Sequence, residues 1–397
     1  MKKVLFVFLL LALALSACGP AAAKLPDECT VDEIGCAVIP AGQTIKIGMG
    51  APLLGDYSMF GIDISNGARL AIDNDAGIEG FKFELIAEDD GGSAEGGAAV
   101  ANKMVTDPSV VAIAGHIFSG ATQAAMPIYE KAVIPMVSPS ATLPELTAQG
   151  STVFNRIAFT DATQASYAAK MMFEDLAVAK LAIMHDGSAY GQGLAELVKA
   201  DFEALGGTVV AFEAVTPGEV DYSAPLSSIA SAGPDAVYFG GYAAEQIVMA
   251  NQWKQSGLEG VIMFGCDGTF GSEFIEKTGA NGEGAYAVSL VPPDSAEKTA
   301  FDQMHRDAIG SEPGSLSPYT WAAYDTGNLL VAKIREVAVL GKDGNLYIPR
   351  TKLVEAVRTT KDFQALTGLM TCDAVGECNA SGPTFYQVVD GAWVAVQ

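Results

Sequence analysis

Residues 110–140 read VVAIAGHIFSGATQAAMPIYEKAVIPMVSPS and contain a complete strand–helix–strand unit. Residues 110–114 and 133–137 are short apolar runs typical of buried strands, and residues 121–131 have apolar positions at helical spacing. Each strand is followed by small and hydroxylated residues that are typical of a strand–helix loop. A strand, a helix and a second strand in this order predict a βαβ unit of a parallel sheet.

The same alternation extends on both sides of this unit. On the N-terminal side the sequence predicts strands at 45–49 and 81–87 and helices at 65–74 and 94–106. After about residue 160 the pattern restarts, with helices at 164–176, 191–205, 224–232 and 243–256 and strands at 181–185, 208–214, 236–239 and 260–264. The periodicity therefore predicts two α/β halves, each built on a doubly wound parallel sheet.

Composition limits the class of protein. The chain has 397 residues, 50% of them hydrophobic, which excludes a mainly disordered protein and is about two domains' worth of sequence. Lys and Arg total 23 against 47 Asp and Glu, a formal net charge of −24. Because such a chain repels phosphate backbones, we expect no nucleic-acid partner.

The N-terminus has the features of an export signal. Met1 is followed by two lysines, an apolar run at 4–15, and Leu-Ser-Ala-Cys at 15–18, which resembles the bacterial lipobox. We predict a signal peptide at 1–17, a lipidated Cys18 and a Pro/Ala/Gly-rich tether at 18–43, with regular structure beginning at Thr44. The alternative is an ordinary signal peptide cleaved after Ala17. The run is too short to span a bilayer, so we expect an exported protein, lipid-anchored to the outer face of the cell membrane or periplasmic.

The remaining cysteines form two close pairs. Cys29 and Cys36 enclose one short loop, and Cys372 and Cys378 enclose another, so each pair is a candidate disulfide in an oxidising compartment. A metal site that uses both pairs is the alternative, but the C-x-x-C spacing and a neighbouring His are missing. Cys266 would then be a free thiol.

Motifs of catalysis are missing from the sequence. The Gly48-Met49-Gly50 run has Leu53 where a dinucleotide fingerprint requires its third glycine, and neither a phosphate-binding G-x-x-x-x-G-K-[ST] loop nor a G-x-S-x-G elbow occurs. The three histidines are scattered without metal-ligand spacing. We therefore predict no catalytic residues, no metal and no cofactor.

Two loops are suited to bind a small anion. Ser119 follows the strand at 110–114 and lies near the start of a helix, while Thr142 and Glu145, after the next strand, match a capping box. In an open α/β sheet these strand ends form the ligand crevice, and helix N-termini there offer free N–H groups. Both loops could therefore converge on one carboxylate, although helix capping alone would explain either of them.

Seven motifs in a fixed order carry a resemblance to a known family. They are GDYSMFG (55–61), ANKMV (101–105), GHIFSGATQ (115–123), SPSATLPELT (138–147), HDGSAYGQG (185–193), YFGGY (238–242) and FGCDG (264–268). With them the chain, from about 45 to 394, resembles the substrate-binding lipoproteins of branched-chain amino acid ABC transporters, which have the type I periplasmic binding protein fold. The resemblance implies two lobes, a ligand cleft between them, and three hinge crossovers near residues 160, 290 and 367. The lobes would be 44–160 plus 291–367 and 161–290 plus 368–397.

The resemblance also implies a binding site for an amino acid backbone. Its carboxylate would be held by Ser119 and Thr142, with main-chain groups of Ser140 and Ala141 nearby, and the Thr142 hydroxyl and a carbonyl of Ser140 or Ala141 would also face its ammonium group. Asp267 stands where the family usually has the Glu that neutralises the ammonium group. The remaining positions implied by the resemblance are aromatic: Tyr190, Tyr242, Phe60 and Tyr319.

The implied function is capture of a small amino acid by hinge closure and its delivery to an ABC permease, without catalysis, by a monomer. A branched-chain or other neutral side chain is favoured, because the matched loops contain no Arg or Lys to pair with a second carboxylate. Alternatives are an amide, urea or aromatic-acid binding protein of the same fold, or a ligand sensor for a signalling partner.

Overall fold

The computed structural model describes residues 25–378 and 382–396. The strands are β1 (Cys36–Ile39), β2 (Ile45–Ala51), β3 (Phe83–Asp89), β4 (Val110–Ala114), β5 (Met136–Ser138), β6 (Phe154–Arg156), β7 (Lys180–His185), β8 (Thr208–Ala214), β9 (Ala236–Gly240), β10 (Ile262–Phe264), β11 (Tyr286–Ser289), β12 (Val339–Leu340), β13 (Leu346–Pro349), β14 (Phe363–Ala365), β15 (Gly368–Met370), β16 (Thr384–Val389) and β17 (Ala392–Ala395). The helices are α1 (Asp27–Val31), α2 (Ser58–Ile72), α3 (Ala94–Met104), α4 (Ser119–Ala132), α5 (Glu145–Ala148), α6 (Asp161–Lys170), α7 (Ala189–Ala204), α8 (Ser223–Ser231), α9 (Ala243–Gln252), α10 (Ser272–Thr278), α11 (Ala296–Ile309), α12 (Thr320–Val337) and α13 (Arg350–Arg358).

The first lobe is built on a parallel sheet in the order β3-β2-β4-β5-β6. Its central strands are wholly buried, as expected where helices cover both faces of a sheet. The predicted alternation of strands and helices is confirmed, with shifted bounds. The last predicted strand of this lobe begins at Met136 rather than at Val133, because Val133 ends α4 in the left-handed conformation, at φ 52°.

The second lobe has a larger sheet in the order β17-β16-β11-β10-β9-β7-β8. Strands β7 to β10 pair in parallel, as predicted, and β11, which the sequence did not predict, continues the parallel sheet. Strands β16 and β17 extend one edge in antiparallel fashion, and the sequence did not predict them.

The chain crosses between the lobes three times. It leaves the first sheet after Arg156 and enters α6, which packs on α7 of the second lobe. It returns after Ser289 to α11 and α12, and α12 packs against α2 of the first lobe. For the third crossing, the described chain lies in the first lobe up to Cys378 and in the second-lobe sheet from Thr384. A site between the lobes is therefore built from chain segments that are far apart in sequence.

The third crossing is later than the predicted boundary at 367/368. The Cys372 N–H donates to the Thr360 carbonyl at 2.9 Å, and the Arg156 Nε donates to Glu377 Oε2 at 2.8 Å. Residues 368–378 therefore belong to the first lobe, and the next strand of the second lobe, β16, begins at Thr384. Periodicity could not reveal this, because the contact joins Glu377 to Arg156, more than two hundred positions away.

The predicted tether is also partly wrong. Helix α1 and strand β1 lie within residues 18–43, and β1 pairs antiparallel with β13, with Ala37 and Ile39 buried. The four-residue strand is too short to show a periodic pattern, and its partner strand is distant in sequence. The predicted signal peptide (1–17) and Cys18 lie outside the described residues.

The structure joins Cys29 to Cys36 and Cys372 to Cys378 by disulfides, while Cys266 is a buried free thiol. The first disulfide ties α1 to β1, and the second closes the loop that carries Glu377. Across residues 25–378 and 382–396, none of the helices has the length and apolar character needed to cross a membrane.

Arg156→Met should lower the free energy of unfolding by about 3 kcal/mol, because it removes the positive charge paired with Glu377 and the donor to the carbonyls of Ala141 and Leu143. Urea unfolding measures this. The control is Lys199→Met, which removes an exposed ion pair with Glu203 and should cost about 0.3–0.5 kcal/mol. Equal losses for the two variants would show that Arg156 does not brace the first lobe.

Candidate functional site

The two predicted loops converge at the edge of the first lobe. Helix α4 begins at Ser119, whose side chain is only 3% exposed. The Leu143 N–H, from the second loop, points at Ser119 Oγ from 3.4 Å. The start of α4 therefore faces the neighbouring loop, as expected for adjacent strand ends of a parallel sheet.

The second loop is held mainly by its own hydroxyl groups. Ser138 Oγ donates to the His116 carbonyl at 2.6 Å and accepts from the Ala141 N–H at 2.9 Å, while Ser140 Oγ donates to the Ile117 carbonyl at 2.7 Å. The Ala141 carbonyl accepts from Arg156 Nη1 at 3.2 Å. Both main-chain groups of Ala141 are thus bonded within the protein, and this residue positions the loop.

The predicted capping box at Thr142 is wrong. Helix α5 begins at Glu145 after Pro144 and has no side-chain cap. The Thr142 side chain is fully buried, and apart from the Asp161 carboxyl beside it, its hydroxyl has no hydrogen-bond partner within residues 25–378 and 382–396. Thr142 is therefore available to a ligand in a way that a capping residue would not be.

A buried polar chain braces the first loop from behind. His116 Nδ1 lies 2.8 Å from Asp90 Oδ2, and His116 Nε2 lies 3.1 Å from the Tyr129 hydroxyl. All three side chains are almost fully buried. His116 is thus a structural histidine, and its neighbours fix the loop that leads to Ser119.

Asp267 is the centre of the opposite side of the site. It begins a short 3₁₀ turn after β10 and is 3% exposed. Its Oδ1 accepts from Gln164 Nε2 at 2.7 Å and from the Tyr190 hydroxyl, and its Oδ2 accepts from the Tyr319 hydroxyl at 2.6 Å. The three donors belong to α6, α7 and the residue that precedes α12, so both lobes contact this carboxylate.

A second buried acid lies beside Asp267. Asp161, the first residue of α6, is fully buried, and apart from the Thr142 hydroxyl beside it neither of its carboxylate oxygens has a partner among the described residues. Burial, followed by repulsion from Asp267, raises the pKa of Asp161 well above its usual range. Sequence reasoning missed both Asp161 and Gln164; only their position at the first crossover could have indicated them.

Aromatic side chains close the gap between the lobes. The rings of Phe118 and Tyr242 stack at a centroid distance of 4.2 Å and an interplanar angle of 8°. Phe60 meets Phe118, Tyr242 and Tyr319 edge-on, at 5.6, 6.3 and 6.1 Å. Phe118 was not predicted, although it directly precedes Ser119. The lobes are therefore in contact across the cleft.

These elements enclose one small cavity, with room for about one water molecule. It is lined by Phe60, Ile117, Phe118, Ser119, Ser140, Tyr190, Tyr242 and Asp267. Tyr319 lies next to it through Asp267, and Ala141 and Thr142 lie on the loop that contributes Ser140. The predicted residues thus meet in one place, with a helix N-terminus and hydroxyl groups on one side and a carboxylate on the other.

A wider cavity, of about 700 Å³ and open to solvent, lies away from the cleft between α11 and the hairpin β14–β15. Its buried acid, Asp325, has a pKa raised to about 6 by burial. That carboxylate accepts hydrogen bonds from the N–H groups of Leu366 and Thr367 and from the Thr367 hydroxyl. Because Asp325 is fully bonded, it stabilises the hairpin and does not mark a binding site.

Groups suited to catalysis do not converge in the cleft. Burial raises the pKa of the Cys266 thiol, which lies next to the cavity and donates to the Gly241 carbonyl at 3.2 Å. Within the part of the chain that the structure describes, no His/Cys/Asp/Glu cluster could hold a metal ion. The arrangement is suited to hold a small dipolar molecule.

Comparison with known proteins identifies the family of this chain. The family model for periplasmic binding proteins matches residues 44–392. The leucine-, isoleucine-, valine-, threonine- and alanine-binding protein of Pseudomonas aeruginosa is 32% identical over 352 residues, which cover 87% of this chain and 90% of that protein. The Leu/Ile/Val-binding protein BraC3 of Rhizobium johnstonii is 31% identical over a region that covers 90% of this chain and 95% of that protein.

Solved structures give the same fold. The leucine binding protein LivK of Thermotoga maritima superposes with a TM-score of 0.80 at 27% identity, covering 89% of this chain and 98% of that one. LivJ of Streptococcus pneumoniae, solved with isoleucine, gives 0.78 at 27% identity with the same coverage. The two-lobed fold predicted from the sequence is confirmed, and these relatives are solute-binding proteins rather than enzymes.

Phe118→Ala should favour an open arrangement of the lobes, because the ring pair that it removes spans the cleft and such pairs contribute about 1 kcal/mol. Small-angle X-ray scattering should show a larger radius of gyration. Phe173→Ala is the matched control, since Phe173 packs edge-on against Phe202 within the second lobe, at 5.9 Å. Unchanged dimensions for Phe118→Ala would mean that the stack does not hold the lobes together.

Proposed function

This chain belongs to the periplasmic binding protein family, and from that premise we propose that it captures a small neutral amino acid and delivers it to an ABC permease. The family places the protein outside the cytoplasm. We further propose that the lipidated Cys18 tethers it to the outer face of the membrane and that it acts as a monomer.

One observation carries this proposal: a single cavity has a helix N-terminus with Ser119 on one side and the buried carboxylate of Asp267 on the other. The free N–H groups and the hydroxyl of Ser119 suit a carboxylate, and Thr142 adds a second hydroxyl. Asp267 suits an ammonium group, because a buried cation needs an opposite charge to offset its desolvation. An α-amino acid presents both charges one carbon apart.

The remaining walls favour an uncharged side chain. Phe60, Phe118 and Tyr242 offer apolar faces, and the cavity between the lobes is small. The buried cation nearest to the loops, Arg156, is already engaged by Glu377 and by loop carbonyls. A second ligand carboxylate would therefore lack a partner. The relatives named for leucine, isoleucine and valine support a branched-chain or similar ligand.

Binding would act through closure of the hinge. Ser119 and Thr142 belong to the first lobe, whereas Tyr190, Tyr242 and Asp267 belong to the second. A ligand that bridges them adds contacts available only when the lobes meet, so it shifts the population towards the closed form. The closed form would then present the outer surfaces of both lobes to the permease.

A thermal-shift panel of the twenty amino acids tests the ligand class. Leucine or a similar neutral amino acid should stabilise the protein by about 2.7 kcal/mol at a hundredfold excess over its dissociation constant. Bound ligand must first be removed by unfolding and refolding. Benzoate, urea and acetamide serve as comparison ligands. If one of these shifts the unfolding temperature and no amino acid does, the amino acid assignment is wrong.

Asp267→Asn should weaken L-leucine at least about 30-fold, because it removes the charge that neutralises the ammonium group and keeps the size of the side chain. It should have little effect on 4-methylpentanoate, the same molecule without its amine. Titration calorimetry measures both affinities. Asp325→Asn, which removes a buried acid outside the cleft, should change neither. Equal losses for the two ligands would remove Asp267 from the ammonium role.

A further inference from the structure

The cleft contains buried hydrogen-bond acceptors that the protein's own donors do not satisfy. The Asp161 carboxyl and the Thr142 hydroxyl are fully buried beside one another, and within residues 25–378 and 382–396 neither has a hydrogen-bond partner outside this pair. Buried polar groups are nearly always bonded, because leaving one unmet costs the full price of its desolvation. Unmet groups beside a ligand cavity therefore indicate a ligand that brings donors.

Asp267 cannot satisfy an ammonium group alone. A carboxylate offers about four acceptor positions, and Gln164, Tyr190 and Tyr319 already donate to those of Asp267. An ammonium group brings about three donors. Most of these donors must therefore find acceptors elsewhere.

The chain holds the unmet acceptors close to Asp267. The Asp161 N–H donates to the Thr142 carbonyl at 2.9 Å, which fixes the start of α6 against the ligand loop. One turn later, Gln164 bonds Asp267 twice: its Nε2 donates to Oδ1 at 2.7 Å, and its Oε1 accepts from the main-chain N–H at 3.0 Å. Thr142, Asp161 and Asp267 are thus parts of one bonded unit.

We propose that the ligand's ammonium group binds between Asp267 and Asp161, and that Asp161 releases a proton to solvent as the ligand binds. This rests on the function proposed above. The O–H bond of the Asp161 carboxyl breaks, its proton passes to water, and the carboxylate formed accepts an N–H of the ligand. The Thr142 hydroxyl lies beside this carboxylate and can accept a second N–H of the ammonium group or donate to Asp161.

The surroundings favour the neutral form of Asp161 while the cleft lacks a cation. Burial, followed by repulsion from Asp267, raises the pKa of Asp161, and the charge of Glu145 raises it further. A hydrogen bond from Thr142 and the positive charge of Arg156 lower this pKa but have smaller effects than burial and Asp267. Arg156 cannot serve as the counter-ion, because it is held by Glu377. Tyr190, Tyr238 and Tyr319 also face the acid, and burial raises the pKa of each hydroxyl, so they stay neutral. An incoming ammonium group reverses this balance.

The sign of the pH dependence follows from linkage. The free protein carries a proton on Asp161 and the complex does not, so affinity rises with pH, by up to about tenfold per unit. The rise is confined to the range between the lower pKa of Asp161 in the complex and its higher pKa in the free protein. Below that range the proton stays on in both states, and affinity no longer depends on it.

Titration calorimetry at pH 6 in buffers of different ionisation enthalpy tests the proposal. The probe is L-leucine, or whichever amino acid gives the largest thermal shift in the panel above. The observed enthalpy should change with the buffer in proportion to about one released proton per ligand. Asp161→Asn should abolish both the release and the rise of affinity with pH. Asp325→Asn, whose carboxyl has a pKa raised to about 6 but lies outside the cleft, should leave both unchanged.

The outcomes separate this proposal from the function on which it rests. Amino acid binding without proton release, and with the same affinity at each pH, would overturn the role of Asp161 and leave the amino acid assignment intact. If no amino acid binds, both proposals fail. The buffer series on the unaltered protein decides the matter even if Asp161→Asn does not fold.

Discussion

The carboxylate of Asp267 is the point on which the cleft depends. Removing such a charge from water is costly, and it is tolerated only where donors surround it. Here the donors are Gln164 from the first crossover helix, Tyr190 from the second lobe and Tyr319 from the first. Because these residues come from three distant parts of the chain, satisfying one buried acid also fixes how the two lobes meet.

The two loops that carry Ser119 and Thr142 also depend on buried polar and charged partners, which lie behind them. His116, between Asp90 and Tyr129, fixes the segment before Ser119, and Arg156 fixes the carbonyls around Thr142 through Glu377. Such supporting groups hold contact residues in place before the ligand arrives, so that less freedom is lost on binding. The loop closed by Cys372 and Cys378 therefore contributes to the cleft without touching it.

The sequence predicted those parts of the site that rest on local pattern. Ser119 could be placed because a strand, a loop and a helix follow one another there, and Asp267 because it lies in a motif of the resembled family. Phe118, Asp161 and Gln164 escaped prediction because their roles depend on contacts across the crossovers, which periodicity does not show. Thr142 was assigned a capping box that its buried hydroxyl does not make, since the helix begins three residues later.

The shorter acid at 267 and the unpartnered acid at 161 belong to one arrangement. An Asp ends its side chain one methylene nearer to the backbone than the usual Glu, and its oxygens are already bonded by both lobes. In the proposed complex, further negative charge for the ammonium group would come from Asp161, at the hinge. With the cleft free of a cation, two like charges oppose one another, and a proton on Asp161 relieves this. A ligand cation removes the repulsion and bridges the lobes in the same step, which ties closure to recognition of the amine.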